Sequence, residues 1–288
     1  ERDSFLLGVA EVLIQRGSPG EDDWMLFTAA RHVNAIKPEL FDPVRATELN
    51  LKVGKIASAK GSFVDAVDFF RAGVGRLDPK NCWMREHYDL TLDLYNNLLE
   101  GEHTIGHEEQ AAQAVEVVFK NARSLPEKLR AQYVYVESKV AGQSYGASVD
   151  SGLEILGLYD VEIPTEPTER QLNREKFQLK VALRGRSLLC LSKFPIATEE
   201  AVIAQMKIAQ ITLRHASFDK RSVLASMVGI RMLRVALKNR VITKDLPFLV
   251  LSLGAPLRQR EKYEGAATYA NAGMSLMERF PEEKGGEF

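Results

Sequence analysis

The sequence predicts an all-α chain assembled from antiparallel helix pairs stacked as an α-solenoid. Two observations carry that prediction. Apolar residues recur at spacings of three and four through most of the 288 residues, and no segment sustains a two-residue alternation flanked by hairpin turns. A third supports it: the apolar runs are punctuated at helix-length intervals by glycine, or by a capping residue followed by proline. Hydrophobic residues at 45% and charged residues at 27% suit a folded chain with a real core.

The clearest element opens at Asp42-Pro43, an N-cap residue before a proline suited to the first helical turn, and continues through Ala46, Leu49, Val53, Ile56 and Ala57 on one face. Gly61 ends it, and Ser62 is expected to cap a second helix whose stripe is Phe63, Ala66, Val67, Phe70, Val74 and Leu77. Gly54 after Val53, Ala66 with Phe70, and Pro79 match the tetratricopeptide (TPR) pattern. Its physical logic is that small residues let two helices approach while the aromatic fills the gap to the next pair.

The same grammar recurs with a helix over Tyr88–Glu102, a turn at Gly106 and a partner carrying Ala111, Val115 and Val118. A third copy runs from about Pro126 to Ala141, turns at Gly142–Tyr145 and reaches Leu158 before Val161-Glu162-Ile163-Pro164. Helices are then predicted near 168–183, 198–216 and 220–241, the second capped by Thr198 with Glu199 and Glu200 in its first turn. A last TPR-like pair carries Leu253-Gly254, then Tyr263, Ala266, Ala270 and Gly273, with a kink or early break expected at Pro256. Segments 3–16 and 22–36 form a leading pair. The predicted organisation is therefore a leading pair over 1–41, three TPR-like repeats over 42–164, continuing helices and a final pair over 165–281, and a tail or linker at 282–288. Stacked pairs of this kind curl into a right-handed superhelix.

A net charge of -1 argues against an overall field that gathers nucleic acid or anionic membrane, and neither is an expected partner. The charge is unevenly spread: residues 1–202 carry 24 Lys/Arg against 31 Asp/Glu, whereas 203–244 carry nine Lys/Arg against Asp219 alone. Cys82 and Cys190 lie far apart without Cys-x-x-Cys spacing, so a reducing, cytoplasmic setting is expected, with no metal and no cofactor. The uncharged run from Leu246 to Leu257 falls well short of the roughly 20 residues a membrane span needs. Glu1 leads almost at once into an apolar helical run, which reads as a segment of a longer protein.

Four stretches stand out: Ala30-Arg31-His32-Val33-Asn34, Glu48-Leu49-Asn50-Leu51-Lys52-Val53-Gly54, His87-Tyr88-Asp89-Leu90-Thr91-Leu92-Asp93-Leu94-Tyr95 and Gly152-Leu153-Glu154-Ile155-Leu156-Gly157-Leu158. On these the chain resembles the helical region that follows the P-loop ATPase module in large AAA/STAND-type signalling ATPases. Such proteins often also carry Ser/Thr kinase, GAF or histidine kinase modules. The resemblance implies a non-catalytic regulatory arm, and no Gly-x-x-x-x-Gly-Lys-Ser/Thr occurs in this chain.

Candidate functional residues follow from repeat position and charge. The groove lined by the first helix of each pair is expected to present Lys55, Ser58, Asn96, Glu100, Tyr133, Glu137 and Arg258 to a peptide, a helix or another domain of the same polypeptide. Arg231, Arg234 and Lys238, at i, i+3 and i+7, form a basic stripe that is either a solvated face or a docking site for an acidic segment. The alternative to a protein-binding module is a regulator holding a small molecule within the superhelix. A remote third reading is a serine hydrolase, because Gly142-Gln143-Ser144-Tyr145-Gly146 fits Gly-x-Ser-x-Gly, although no strand precedes it and a turn is needed there. His103 and His107 with Glu102 and Glu108 offer metal-ligand types, but Gly106 interrupts the helix between them, so they are expected to be solvated turn residues.

Overall fold

The computed structural model describes residues 1–17, 20, 23–142, 144–259 and 261–280, and these are all-helical apart from turns and one isolated parallel bridge, Ile196 to Ile242. They divide into two compact units, Glu1–Val134 and the part from Tyr135 onward.

The first unit contains α1 (Arg2–Arg16), α2 (Asp23–Ala35), α3 (Pro43–Ala59), α4 (Phe63–Val74), α5 (Tyr88–Thr104), α6 (Glu108–Asn121) and the start of α7 (Leu129–Gly142). From α1 to α6 each helix packs on the next. Asp42 caps α3 by accepting the Arg45 N–H at 2.7 Å, with Pro43 in the first turn, as the sequence requires. Gly61 at φ +78° and Gly106 at φ +81° make the turns into α4 and α6. Ser62 stands at the N-cap of α4 but its side chain accepts no backbone N–H; its hydroxyl is turned to donate to Asp65 Oδ2 at 2.6 Å. Leu26, Ala30, Val33, Phe41, Val53 and Phe69 form one core cluster, and Leu51, Val67, Phe70, Leu94 and Leu98 the next.

Small residues set the approach of these helices. A side chain at Gly54 would overlap the ring of the fully buried Phe70, and one at Gly101 would meet Val67 Cγ2 at 2.7 Å. Gly54 of α3 and Phe70 of α4 are thus in close contact.

The second unit contains the remainder of α7, then α8 (Tyr145–Leu158), α9 (Glu169–Leu183), α10 (Glu200–Phe218), α11 (Ser222–Asn239), α12 (Leu246–Gln259) and α13 (Tyr263–Met277). Met206, Ile208, Ile211 and Leu213 of α10 pack with Leu224, Met227, Val228 and Ile230 of α11 in its core. Here the sequential order breaks: α8 packs on α10 and α9 on α11. The boundary therefore falls within α7 and divides the third predicted pair, because α8 is held by α10, where Gly152 leaves room for Thr212. Two local expectations also change. Glu199 rather than Thr198 stands at the N-cap of α10, and α12 runs through Pro256 to Gln259. The proline costs the Ser252 carbonyl its helical donor, but Ser252 is only half-buried, so the freed acceptor is not sealed in the core. The predicted tail at 282–288 lies outside the described residues.

The two kinds of glycine separate in a simple experiment. Gly8 of α1 has nothing within 4 Å of where a Cβ would stand, so Gly8→Ala should stabilise the chain by up to about 1 kcal/mol through helix propensity. Gly54→Ala should instead destabilise by about 1–3 kcal/mol, because the Phe70 ring must move. Thermal or urea melts read both signs.

Candidate functional site

Helices α3, α5 and α7 share a polar ladder in the first unit. Lys55 Nζ of α3 meets Asp93 Oδ2 of α5 at 2.6 Å, and Arg130 Nη1 of α7 lies 3.4 Å from Asp93 Oδ1. The Arg130 guanidinium also forks onto Glu100, with Nε 2.7 Å from Oε1. Asn97 Nδ2 donates to the carbonyl and the carboxylate of Asp93 at 2.7 and 2.8 Å, which fixes the central rung. The four charged side chains remain 36–48% exposed. Exposed pairs of this kind contribute little to stability, so the ladder is a presented surface more than a brace.

The predicted groove residues separate accordingly. Lys55 and Glu100 are rungs of the ladder, Ser58 follows Lys55 one turn along α3 and is half-buried, and Tyr133 is half-buried one turn beyond Arg130. Asn96 is a correction: only 6% exposed, it faces the interior, since α5 turns Leu94, Leu98 and Leu99 inward beside it. Glu137 and Arg258 belong to the second unit. Arg258 is exposed on α12, whereas Glu137 is bound internally by Arg214. Asp93 and Arg130 escaped sequence reasoning, yet Lys55, Asp93 and Arg130 lie 38 and 37 residues apart, close to one repeat. Charged residues alternating in sign at the repeat period were the available signal.

The basic stripe is corrected by Glu175 of α9. Arg231 Nη2 and Arg234 Nη1 reach its two carboxylate oxygens at 2.6 and 2.5 Å, and Glu175 is 7% exposed. Two of the three cations therefore clamp α9 onto α11, and Lys238 alone of the stripe is fully exposed. Replacing the stripe by glutamates would unseat α9, so the stripe does not function as a free docking face.

The histidine turn is also an ion-pair site. Arg71 of α4 grips the buried Glu102 of α5 through Nε and Nη2 at 2.7 and 2.8 Å, and His107 Nδ1 stands 3.0 Å from Glu102 Oε2. His103 Nδ1 lies 3.3 Å from Glu108. Both histidines thus have partners where solvated turn residues were expected, and among the described residues no group of three or more His, Cys, Asp or Glu is arranged to hold a metal.

Of the Gly-x-Ser-x-Gly stretch, Gln143 lies outside the described residues. Ser144 is the N-cap of α8, accepting the Ala147 N–H at 3.1 Å, and follows a helix rather than a strand. A serine, a histidine and a glutamate do meet one turn later. Ser148 Oγ donates to the Val136 carbonyl at 2.7 Å; its only proton is thereby used, so His215 Nδ1, also at 2.7 Å, is the donor to Ser148. His215 Nε2 lies 3.4 Å from Glu137. Ser148 is wholly buried and no approach for a substrate carbonyl exists at its oxygen, so this network ties α7, α8 and α10 together.

Asp245, just before α12, is a buried carboxylate with weaker compensation. Lys207 Nζ is 3.8 Å from Oδ1, and Oδ2 has no hydrogen-bond partner. Burial pushes its carboxyl above the ordinary 3.8, and Lys207 and Lys244 draw it only part of the way back.

Neither a protein-family model, nor a curated protein, nor a solved structure matches this chain.

The Asp245 geometry sets a pH dependence. An unfolded carboxyl ionises at its ordinary value and the folded one only at higher pH, so stability is given up as pH rises from about 3.8 through the folded value. Asp245→Asn, which removes the buried charge, should match the parent chain around pH 3 and melt higher around pH 7. Thermal melts at the two pH values provide the check.

Proposed function

We propose that this chain is a non-catalytic protein-binding module, a TPR-like stack of helix pairs whose polar ladder on α3, α5 and α7 receives an extended or helical segment of another protein or domain. The observation that carries this reading is the ladder itself. Lys55, Asp93, Arg130 and Glu100 alternate in sign along equivalent helices and stay half-open to solvent. A segment with charges of the opposite order can exchange these rim pairs for intermolecular ones at little cost, since exposed pairs are worth only about 0.2–1 kcal/mol each. Consecutive packing of α1 to α6 and the small-residue contacts are what a solenoid of this type requires. The resemblance to the helical arm of signalling ATPases supports the same reading and supplies a setting: a regulatory arm that docks a partner or restrains a neighbouring ATPase module.

The double variant Asp93→Ala/Arg130→Ala tests the proposal. Its unfolding free energy should stay within about 1–2 kcal/mol of the parent chain, because both side chains are more than a third exposed. Affinity capture with parent and variant should then differ, the variant losing the specific partner. Identical partners captured at equal strength would reject the ladder as the binding face.

A further inference from the structure

Helix α9 turns two different faces outward and inward. At 100° per residue Leu172, Glu175 and Leu179 fall on one side, and they are the buried ones. Arg170, Arg174, Phe177, Val181 and Arg184 fall on the other, and all are exposed, Phe177 at 66% and Val181 at 59%. The segment that follows continues the pattern with Arg186, Leu189, Lys193 and Ile196, all exposed. From Arg170 to Ile196 there are seven Lys/Arg against a single acidic residue, Glu175. That carboxylate points inward and is consumed by Arg231 and Arg234, so it neutralises nothing on the outer face. Glu166 and Glu169 stand just before the strip, Glu169 in the first turn of α9, where a carboxylate complements the helix dipole. None of the seven cations forms an ion pair among the described residues.

We propose that the outer face of α9 and the segment to Ile196 is a docking surface for an anionic lipid bilayer. Exposed apolar side chains set among uncompensated arginines and lysines are the chemistry of an interfacial helix: the apolar groups enter the headgroup boundary while the cations meet anionic headgroups. Shape favours a lipid surface over an acidic polypeptide. The exposed side chains of α9 project from the side opposite its buried Leu172, Glu175 and Leu179, an outward ridge that suits a broad surface and does not enclose a peptide. Phe177 is the only aromatic on the outer face of α9, too few to stack successive bases of a nucleic acid. The near-neutral charge of the whole chain averages this strip away. The inference is independent of the ladder on α3, α5 and α7.

Co-sedimentation of the 288-residue chain with vesicles tests it, using phosphatidylcholine alone and phosphatidylcholine with about one third phosphatidylserine, at low and high salt. Binding is expected only to the anionic vesicles and should fall steeply with salt. One cation near the surface is worth roughly fivefold in partitioning, so Arg174→Glu/Lys180→Glu/Arg184→Glu should lower it by roughly 100-fold. Phe177→Ser/Val181→Ser should lower it by about tenfold while keeping the salt dependence. Circular dichroism confirms the fold of each variant, and Arg174→Gln/Arg184→Gln replaces any charge reversal that unfolds. The proposal is overturned by absence of binding to anionic vesicles at low salt, by variants that bind as the parent does, or by polyglutamate or single-stranded RNA binding more tightly than the vesicles.

Discussion

The register of several helices depends on buried or half-buried carboxylates gripped by an arginine from another helix, while Asp23 and Asp245 are held by lysines instead. Glu102 of α5 is held by Arg71 of α4, Glu137 of α7 by Arg214 of α10, and Glu175 of α9 by Arg231 and Arg234 of α11. The exposed Asp150 of α8 also meets Arg221, which precedes α11, but as a surface pair. Apolar stripes alone would let helices slide along one another, because the hydrophobic effect has no direction. A carboxylate left without its arginine in a buried place costs several kcal/mol, so each pair admits one register and one partner. Small residues then determine how closely the registered helices approach, as Gly54 does for Phe70 and Gly152 for Thr212.

The uneven charge of the sequence has its explanation in the same constraint. The basic stretch at 203–244 is the complement of acids placed earlier in the chain, and four of its arginines are engaged within the second unit. What remains outside these internal pairs is informative about function. The ladder of Lys55, Asp93, Arg130 and Glu100 stays open to solvent, and the cations on the outer side of α9 form no ion pair among the described residues. Charge that the fold does not need is the charge available to a partner.

Helix number and order were legible in the sequence because a helix stripe is a local property: each apolar face and each breaking glycine lies within about 15 residues of its neighbours. The turns at Gly61 and Gly106 and the cap at Asp42 follow from backbone chemistry at those positions. Thr198 misled because the adjacent Glu199 takes the cap position, Ser62 because its hydroxyl turns to Asp65, and Pro256 because its cost depends on how buried the orphaned carbonyl is. The candidate site was half legible. Lys55 and Glu100 follow from repeat position, and Asp93 and Arg130 needed the additional rule of alternating charge at one repeat. Glu175 was not legible at all: between Arg174 and Lys176 it reads as a surface charge, and its partners lie 56 and 59 residues away.

The clamp on Glu175 is the most direct place to measure the governing constraint. A double-mutant cycle combining Glu175→Gln with Arg231→Gln/Arg234→Gln, followed by urea unfolding, isolates the interaction between α9 and α11. A buried carboxylate that fixes the register predicts a coupling of about 2 kcal/mol or more, the full set of changes costing less than the sum of the two partial ones. A coupling below about 0.5 kcal/mol, the range of exposed surface pairs, would contradict the account and leave the register of these helices to apolar packing alone.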